Sequence, residues 1–240
     1  MSLERVKALT FDTGGTILDW HTGFKMAFEK TGANYGLERD WAAITNDLRR
    51  RSLAKMLNLG ELEPPVYNFD SAHRVVVDEL CGENELGAFT EDDRHGIAWT
   101  APHRFKCWPD FPSVLPKLRN RFTVCSFTIL SFRIIIDTAK CNDLSWDSVF
   151  SCEAIGKYKV LPASYQTVIR WLSLEPSEIC MVACHNFDLD AARGVGFKTA
   201  FVRRPDEWGH AGPPDPDPNP DCDIIVDSFP DLAVALGVRV

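Results

Sequence analysis

Arg5-Val6-Lys7-Ala8-Leu9-Thr10-Phe11-Asp12-Thr13-Gly14-Gly15-Thr16-Ile17-Leu18 is the stretch that decides the fold of this chain. An apolar run typical of a buried strand ends at Asp12, and two glycines and a threonine follow. In open α/β sheets, ligands and reactive groups lie at the carboxyl ends of the strands. Asp12 is therefore a candidate nucleophile. The alternative is a turn aspartate that bonds its own backbone.

Composition narrows the class of protein and its partners. The chain has 240 residues, 45% of them apolar, which suits one large core with or without a smaller satellite domain. The formal net charge is −8 and no long basic block occurs, so we expect no nucleic-acid partner. No apolar run reaches the roughly 18–20 residues of a membrane span, and the N-terminus lacks the apolar stretch of a signal peptide. We therefore expect no membrane partner.

The cysteines indicate a reducing compartment. The eight of them form neither a Cys-x-x-Cys pair nor the spacing of a zinc site. Cys125 and Cys180 lie in apolar runs, where a free thiol behaves as a small core residue. Since reduced thiols are typical of the cytoplasm, we predict a cytoplasmic protein.

Helical patterns fill the part of the chain that follows Asp12. They predict three helices, over residues 22–33, 40–59 and 70–80. Residues 90–93 resemble a capping box, which predicts the start of a fourth helix that runs toward residue 99. Gly60 and the pair Pro64-Pro65 are the predicted end of the second helix.

Short strands alternate with helices in the second half of the chain. The predicted strands cover residues 122–126, 148–151, 179–183, 198–202 and 223–226. The predicted helices cover residues 129–141, 162–174, 188–194 and 229–236. The proline-rich segment 212–220 is expected to be irregular.

This alternation predicts an α/β fold with a doubly wound parallel sheet. We predict a Rossmann-like core over residues 1–21 and 106–240, with an all-helical cap over residues 22–105 inserted after the first strand. The cap would cover the carboxyl ends of the strands. The cleft between cap and core would hold the active site.

Polar residues that follow the strands carry a family resemblance. Asp12, Ser126, Lys159 and Asp188 come in the order that resembles the haloacid dehalogenase superfamily: a nucleophilic aspartate, a serine or threonine, a lysine and an acidic motif. The resemblance covers nearly the whole chain. Four segments make it similar to the type II branch, the L-2-haloacid dehalogenases: Asp12–Trp20, Cys107–Asp110, Lys157–Lys159 with Tyr165, and Ala183–Asn186.

The resemblance implies hydrolysis of a short 2-haloalkanoic acid without a cofactor or metal ion. Asp12 would attack the carbon that bears the halogen and form an aspartyl ester. Water would then attack the carbonyl carbon of Asp12 and release a 2-hydroxy acid. Lys159 would keep Asp12 ionised beside the substrate carboxylate, unless it is a solvated loop lysine. The implied partner is a small halogenated carboxylic acid, and a homodimer is possible because family members are often dimers.

Further residues receive roles from the resemblance, each with a structural alternative. Thr16 and Ser126 would offer hydroxyls to Asp12 and to the substrate carboxylate, or they make local backbone bonds. Asp188 would orient Lys159 or the hydrolytic water, or it is a carboxylate favoured at a helix N-terminus.

An arginine and two aromatic residues complete the expected substrate pocket. Arg49 would take the departing halide because a guanidinium suits a large, weakly hydrated anion. On a helix only one or two of Arg49, Arg50 and Arg51 can face a cleft, and the alternative is an exposed face. Trp20 and Tyr165 would line the pocket, or they pack in the core.

His185 and Asn186 are expected in the water step, because they lie in the loop before Asp188. The chain also departs from the type II pattern. Gly14 stands where that branch usually has an aromatic ring, and Phe127 stands where it has an asparagine that helps to bind halide, unless Thr128 substitutes.

Two alternative functions stay open. A phosphatase of the same superfamily needs an aspartate two residues after the nucleophile and a further carboxylate for Mg²⁺, whereas the corresponding positions are Gly14 and Cys184–Asn186. A degenerate member would bind a small carboxylate or a protein without turnover. Gly14 and Phe127 favour this second alternative, whereas the intact set Asp12, Lys159 and Asp188 argues against it.

Overall fold

A computed structural model describes residues 3–57 and 68–239. Gly60 and the pair Pro64-Pro65, the predicted end of the second helix, lie outside the described residues. Within the two described ranges, no helix combines the length and the apolar character that crossing a membrane requires.

The described strands form one parallel sheet in the order β3-β2-β1-β4-β5-β6. This is the strand order of doubly wound Rossmann folds, so the predicted α/β class with a Rossmann-like parallel sheet is confirmed. β1 lies in the middle, between β2 and β4. The strands are β1 Ala8–Phe11, β2 Thr123–Thr128, β3 Ser148–Ser151, β4 Ile179–Ala183, β5 Lys198–Val202 and β6 Ile224–Val226.

Helices cover both faces of the sheet and fill the segment between β1 and β2. Before β2 lie α1 Trp20–Asn34, α2 Trp41–Leu57, α3 Phe69–Glu83, α4 Glu91–His95 and α5 Leu115–Arg119. After β2 lie α6 Phe132–Cys141, α7 Cys152–Ile155, α8 Pro162–Leu172, α9 Asn186–Gly194 and α10 Phe229–Ala235. Short 3₁₀ and π turns connect them, including Gly96–Thr100 and Pro102–Arg104.

Side-chain caps set several of the helix boundaries. Thr90 forms the predicted capping box with Asp93 at the start of α4. α6 begins at Phe132, three residues later than predicted, because the Ser131 side chain accepts the backbone N–H of Ile134 and caps the helix there. The short helix α7 was not predicted from the sequence.

Three of the six described strands are buried along their length, as expected when helices cover both faces of a parallel sheet. Every residue of β1, β4 and β5 is buried. Phe11 at the end of β1 packs edge-on against Phe111, with ring centroids 5.6 Å apart. All eight cysteines are free thiols.

The helical segment between β1 and β2 begins and ends next to the same point of the sheet. Leu18 and Cys107 form an antiparallel bridge, and the Asp19 N–H donates to the Lys106 carbonyl oxygen at 2.9 Å. Within the segment, α2 packs against α1 and α3. We retain the division into a core (1–21 and 106–240) and a cap (22–105) as a proposal that this junction supports.

Candidate active site

Asp12 follows β1 directly, at the carboxyl edge of the sheet, and its side chain is buried. Oδ2 accepts a hydrogen bond from Thr16 Oγ1 at 2.9 Å and lies 3.3 Å from His185 Nδ1. Oδ1 accepts from Lys159 Nζ at 3.2 Å. Burial alone would raise the pKa of Asp12, but Lys159, His185 and Thr16 hold the pKa well below its usual value. Asp12 is thus an anion in a largely dry site.

Lys159 lies in the loop between α7 and α8, and only 1% of it is exposed. Its ammonium has three acceptors: Asp12 Oδ1, the Phe127 carbonyl oxygen at 2.7 Å and Asp188 Oδ2 at 2.5 Å. Burial would lower the pKa of Lys159, but Asp188 and Asp12 raise it. Since all three donors are used, Lys159 is held in one place as a charged group.

Asp188 lies in the first turn of α9 and is fully buried. Its Oδ1 accepts from the Tyr165 hydroxyl at 2.6 Å, and its Oδ2 accepts from Lys159. Burial and Asp12 raise the pKa of Asp188, although Lys159 opposes this. Tyr165 therefore lies behind Asp188 and does not line the cavity at Asp12. The prediction that Tyr165 contacts substrate is corrected to contact with Asp188.

Thr16 joins the loop after β1 to the loop after β4. Its hydroxyl donates to Asp12 and accepts the backbone N–H of Cys184 at 3.0 Å. Because the Cys184 amide occupies the oxygen as an acceptor, the hydroxyl proton is free to point at Asp12. This is the geometry expected of a residue that positions the Asp12 carboxylate.

His185 stands between two carboxylates. Nδ1 faces Asp12, while Nε2 lies 3.0 and 3.2 Å from the two oxygens of Glu207. Burial would lower the pKa of His185, but Glu207, Asp12 and any Cys184 thiolate raise it well above its usual value. Because burial also raises the pKa of the Cys184 thiol, Glu207 and Asp12 are the anions that matter near neutral pH.

Glu207 is a site residue that the sequence did not reveal. It lies in the loop after β5 and is 1% exposed, and Oε1 also accepts from Trp20 Nε1 at 2.9 Å. Burial would raise the pKa of Glu207, but His185 and Arg49 hold it below its usual value. The sequence carries one signal for Glu207: it follows β5 by a few residues, and the carboxyl end of β5 lies at the same edge of the sheet as Asp12.

Arg49 reaches this edge from α2. Its guanidinium is buried, donates from Nη2 to the Gly14 carbonyl oxygen at 2.9 Å and lies 5.2 Å from the ring centre of Trp20. Nε has no hydrogen-bond partner among the described residues. Burial lowers the pKa of Arg49, and Glu207 and Asp12 oppose this. The result is a buried cation with an unused donor.

Gly14 and the neighbouring arginines show why Arg49 holds this position. A Cβ at Gly14 would stand 3.2 Å from Arg49 Nη2, so the guanidinium occupies the space that an aromatic ring would need. Arg50 and Arg51 instead pair with Asp47 on the outer side of α2, at 2.5 and 2.7 Å.

The cavity at Asp12 is small and has apolar walls. Its lining leaves about 10 Å³ for the centre of a water-sized molecule, roughly the room of one bound water. The apolar members were not foreseen from the sequence. The lining residues are Asp12, Gly14, Arg49, Leu53, Ile129, Leu130, Lys159, His185 and Phe187.

Three predicted substrate contacts do not reach this cavity. Ser126 is level with Phe11 in the sheet and is fully buried, with no hydrogen-bond partner for its Oγ among the described residues. Thr128 accepts from Thr13 Oγ1 at 2.7 Å and from the Leu130 N–H. Neither hydroxyl lines the cavity: the sheet register places Ser126 level with Phe11, and hydrogen bonds to Thr13 and Leu130 hold Thr128. Trp20 likewise lies behind Arg49 and bonds Glu207.

Asn186 also departs from its predicted role. Its amide nitrogen donates to Asp215 Oδ2 and the Asp217 carbonyl oxygen, each at 2.8 Å, and its oxygen accepts from the Asn219 N–H. These contacts tie the proline-rich loop to α9. With both ends of the amide used there, the expected part in the water step is not supported.

One group of three among the described residues could hold a metal ion: Cys184, His185 and Glu207, whose ligand atoms lie within 4.8 Å of one another. A thiol, an imidazole and a carboxylate do not form the oxygen-rich set that Mg²⁺ prefers. In the structure these atoms contact each other, with Cys184 Sγ 3.7 Å from Glu207 Oε2.

The strand order and the carboxylate at the end of β1 define an α/β protein with a cluster of charged side chains at the carboxyl edge of its sheet, and haloacid dehalogenases are among the known proteins that it resembles. (S)-2-haloacid dehalogenase 1 of Pseudomonas sp. (strain CBS-3) is 23% identical over 87% of this chain and 91% of its own length. (S)-2-haloacid dehalogenase 4A of Burkholderia cepacia is 23% identical over 84% of this chain and 85% of its own length. No family model matches the chain.

Solved structures agree with these relatives. The crystal structure of an L-2-haloacid dehalogenase superposes with a TM-score of 0.88 at 29% identity, over 96% of this chain and 99% of that one. The crystal structure of a defluorinating L-2-haloacid dehalogenase gives 0.90 at 29% identity, over 97% and 96%. The chain therefore resembles the type II haloacid dehalogenases in sequence and in fold, as its motifs predict.

Proposed function

We propose that this chain is a hydrolase that converts a short 2-haloalkanoic acid to the 2-hydroxy acid through an ester on Asp12. The observation that carries the proposal is the Asp12 carboxylate, which is kept ionised by Lys159 and Thr16 in a small, apolar-walled cavity that also holds Arg49. Similarity to haloacid dehalogenases supports the same reaction.

In the first step Asp12 displaces the halide. A carboxylate oxygen forms a bond to the carbon next to the substrate carboxylate, and the carbon–halogen electron pair leaves with the halide. Arg49 is the proposed acceptor, because its guanidinium is buried, cationic and has an unused Nε–H. The dry surroundings strengthen both the nucleophile and this capture.

In the second step water hydrolyses the ester. Its oxygen adds to Cγ of Asp12, and the bond from Cγ to the oxygen carried by the substrate then breaks. One original oxygen of Asp12 therefore leaves in the 2-hydroxy acid and a water oxygen replaces it. Lys159 holds the reacting carboxyl group in place, and Asp188 holds Lys159.

Metal independence is part of the proposal, because the side chains supply the charge. Three cations face three carboxylates in the site: Lys159, His185 and Arg49 against Asp12, Asp188 and Glu207. The substrate is proposed to be short, since the cavity has so little free volume. A cytoplasmic location and a homodimer remain predictions from the sequence.

Mass spectrometry and halide release test this function together. The chain is incubated with 2-chloropropionate or fluoroacetate in ¹⁸O water, with Asp12→Asn as the control and with EDTA in parallel. We expect halide release insensitive to EDTA, and ¹⁸O in Asp12 after repeated turnovers. Release of phosphate from a generic ester only with Mg²⁺ would indicate a phosphatase. Neither activity, with binding of a small carboxylate retained, would indicate a non-catalytic member.

A further inference from the structure

Glu207 has no role in the two proposed steps, although it contacts His185 and Trp20. It comes from the loop after β5, yet it is buried as deeply as the core and reaches the imidazole of His185 on the side away from Asp12. A buried carboxylate is costly unless its oxygens are paired. Both oxygens of Glu207 are within reach of His185 Nε2, and Oε1 also accepts the Trp20 indole N–H.

The turn after Asp12 is shaped to admit this carboxylate. Gly15 has φ +100°, in the left-handed region, and a Cβ there would stand 2.0 Å from Glu207 Oε1. Only glycine satisfies both the backbone conformation and the contact. The second glycine of the Asp12 motif and Glu207 are therefore packed as one unit, although they lie 192 positions apart in the chain.

The direction of the imidazole follows from these contacts. With an anion at Nε2, the proton on that nitrogen is retained and Nδ1 faces Asp12. While Asp12 is a carboxylate, Nδ1–H donates to Oδ2. Once Asp12 carries an ester, Nδ1 loses the charge that held its proton, and its lone pair is then available beside the carboxyl group whose Cγ water must attack.

We propose that Glu207 is a positioning residue that keeps the proton of His185 on Nε2, so that Nδ1 becomes the base for hydrolysis of the Asp12 ester; this rests on the proposed function. Ester formation releases the Nδ1 proton to solvent, which is the proton that the net reaction produces along with the halide. Nδ1 then removes a proton from water as its oxygen bonds to Cγ. When the ester bond breaks, the departing alkoxide takes the proton of the new Asp12 carboxyl group, which restores carboxylate and imidazolium.

The decisive experiment separates the two half-reactions in Glu207→Gln. We expect the first-turnover burst of halide to stay within about 3-fold of the parent, while steady-state turnover falls about 10²-fold, as for other residues that orient a catalytic group. Mass spectrometry of the quenched enzyme should find the Asp12 ester accumulating. A slowed burst with no ester would overturn the proposal.

The pH dependence of ester hydrolysis gives a readout that a structural role would not move. Loss of the anion lowers the pKa of His185, so the rise of the hydrolysis rate with pH should shift to lower pH in Glu207→Gln. Glu207→Asp retains the charge and should restore part of the rate and the original pH dependence. An unshifted profile in Glu207→Gln, with the rate merely reduced, would contradict the assignment.

A matched control removes a carboxylate elsewhere. Asp223→Asn breaks the contacts of Asp223 with Lys198 and Thr199 at the start of β5, the edge of the sheet opposite Asp12. In Asp223→Asn neither the halide burst nor the hydrolysis of the Asp12 ester should change. If the parent protein forms no Asp12 ester at all, the proposed function fails; if it does but Glu207→Gln hydrolyses the ester normally, only the role of Glu207 fails.

Discussion

His185 and His103 are two largely enclosed histidines that each bridge a pair of carboxylates. Nδ1 of His103 lies 2.8 Å from Asp137 and Nε2 lies 3.1 Å from Asp70. In both cases the partners raise the pKa of the imidazole, although burial opposes them. The local chemistry of the two histidines is therefore nearly the same.

The two histidines differ in the places of their carboxylate partners: those of His103 lie on helices, whereas one partner of His185 faces a cavity. Asp70 belongs to α3, Asp137 belongs to α6, and His103 lies in the turn Pro102–Arg104, so this triad ties helices together. At His185 one carboxylate is Asp12, which also faces Lys159 and a cavity. A histidine between two acids becomes a candidate base only where one of those acids can lose its charge by reacting.

The larger cavity lies beside His103 and not beside His185. A space of about 660 Å³ lies beside His103, whereas the cavity at Asp12 leaves about 10 Å³. The larger space is lined by Trp99, Arg104, Lys106 and Cys141 among others, without a carboxylate–lysine pair at a strand end. The larger space therefore lacks the group of side chains on which the proposed function rests.

Removing Lys159 should give the largest effect and would test whether the Asp12 region depends on its charges. Lys159→Met leaves Asp12 and Asp188 close together without their shared cation. We expect turnover to fall at least about 10³-fold and the free energy of unfolding to fall by about 3–5 kcal/mol. Halide release and urea denaturation measure the two.

Lys198→Met is the matched control, because Lys198 is also buried and paired, with Asp223 at 2.5 Å, but lies at the opposite edge of the sheet. It should lower stability without changing turnover per folded molecule. Normal activity in Lys159→Met would break the proposed role of the lysine.

Substituting the two histidines in turn tests the comparison directly. His185→Gln should lower turnover about 10²- to 10⁴-fold and leave the Asp12 ester unhydrolysed, because water loses its base. His103→Gln should leave turnover unchanged. Quenched-flow halide release with mass spectrometry of Asp12 measures both variants. Equal loss of activity in the two would mean that the histidines are not distinguished by function.

The stability of the His103 triad should depend on pH. Asp70 and Asp137 raise the pKa of His103 above its usual value near 6.5, so the folded state binds this proton more tightly than the unfolded state. The stabilisation is complete below pH 6.5 and is lost as pH rises through the raised pKa. We expect His103→Gln to cost about 1–3 kcal/mol at pH 6 and progressively less at higher pH. A cost that grows with pH, measured by urea denaturation, would contradict this.

The smallest effect is expected at the margin of the site. In Gly14→Ala the new Cβ would stand 3.2 Å from Arg49 Nη2, and the guanidinium must shift by a few tenths of an ångström. We expect kcat/KM to fall about 2- to 10-fold, with stability changed by less than about 1 kcal/mol. Gly82→Ala is the control, since its Cβ would meet nothing within 4 Å. A larger loss would mean that Arg49 has no room to adjust.

The sequence alone was sufficient to place the strands along the chain and to single out three residues that the structure brings together, Asp12, Lys159 and Asp188. Apolar runs of four to six residues indicate buried strands, and a strand end followed by a glycine turn limits where Asp12 can lie. Asp188 follows β4 by the same rule, whereas Lys159 lies between α7 and α8 and was singled out by the resemblance to the family motif. The chain boundaries of the strands at 148–151, 179–183 and 198–202 agree with the structure for the same reason.

Tertiary structure decided which side chains meet. Glu207 reaches His185 and Trp20 from a loop with no motif, and the turn at Gly15 is what admits it. Thr128 bonds Thr13 and Leu130, and the Ser126 hydroxyl is buried without a partner among the described residues. The register of β2 against β1 sets the direction of both side chains, which no spacing in the sequence reveals. The sequence by itself determined which segments form strands and which form helices, because local periodicity carries that information. Which side chains of distant segments meet depends on how those segments pack, and no local pattern records it.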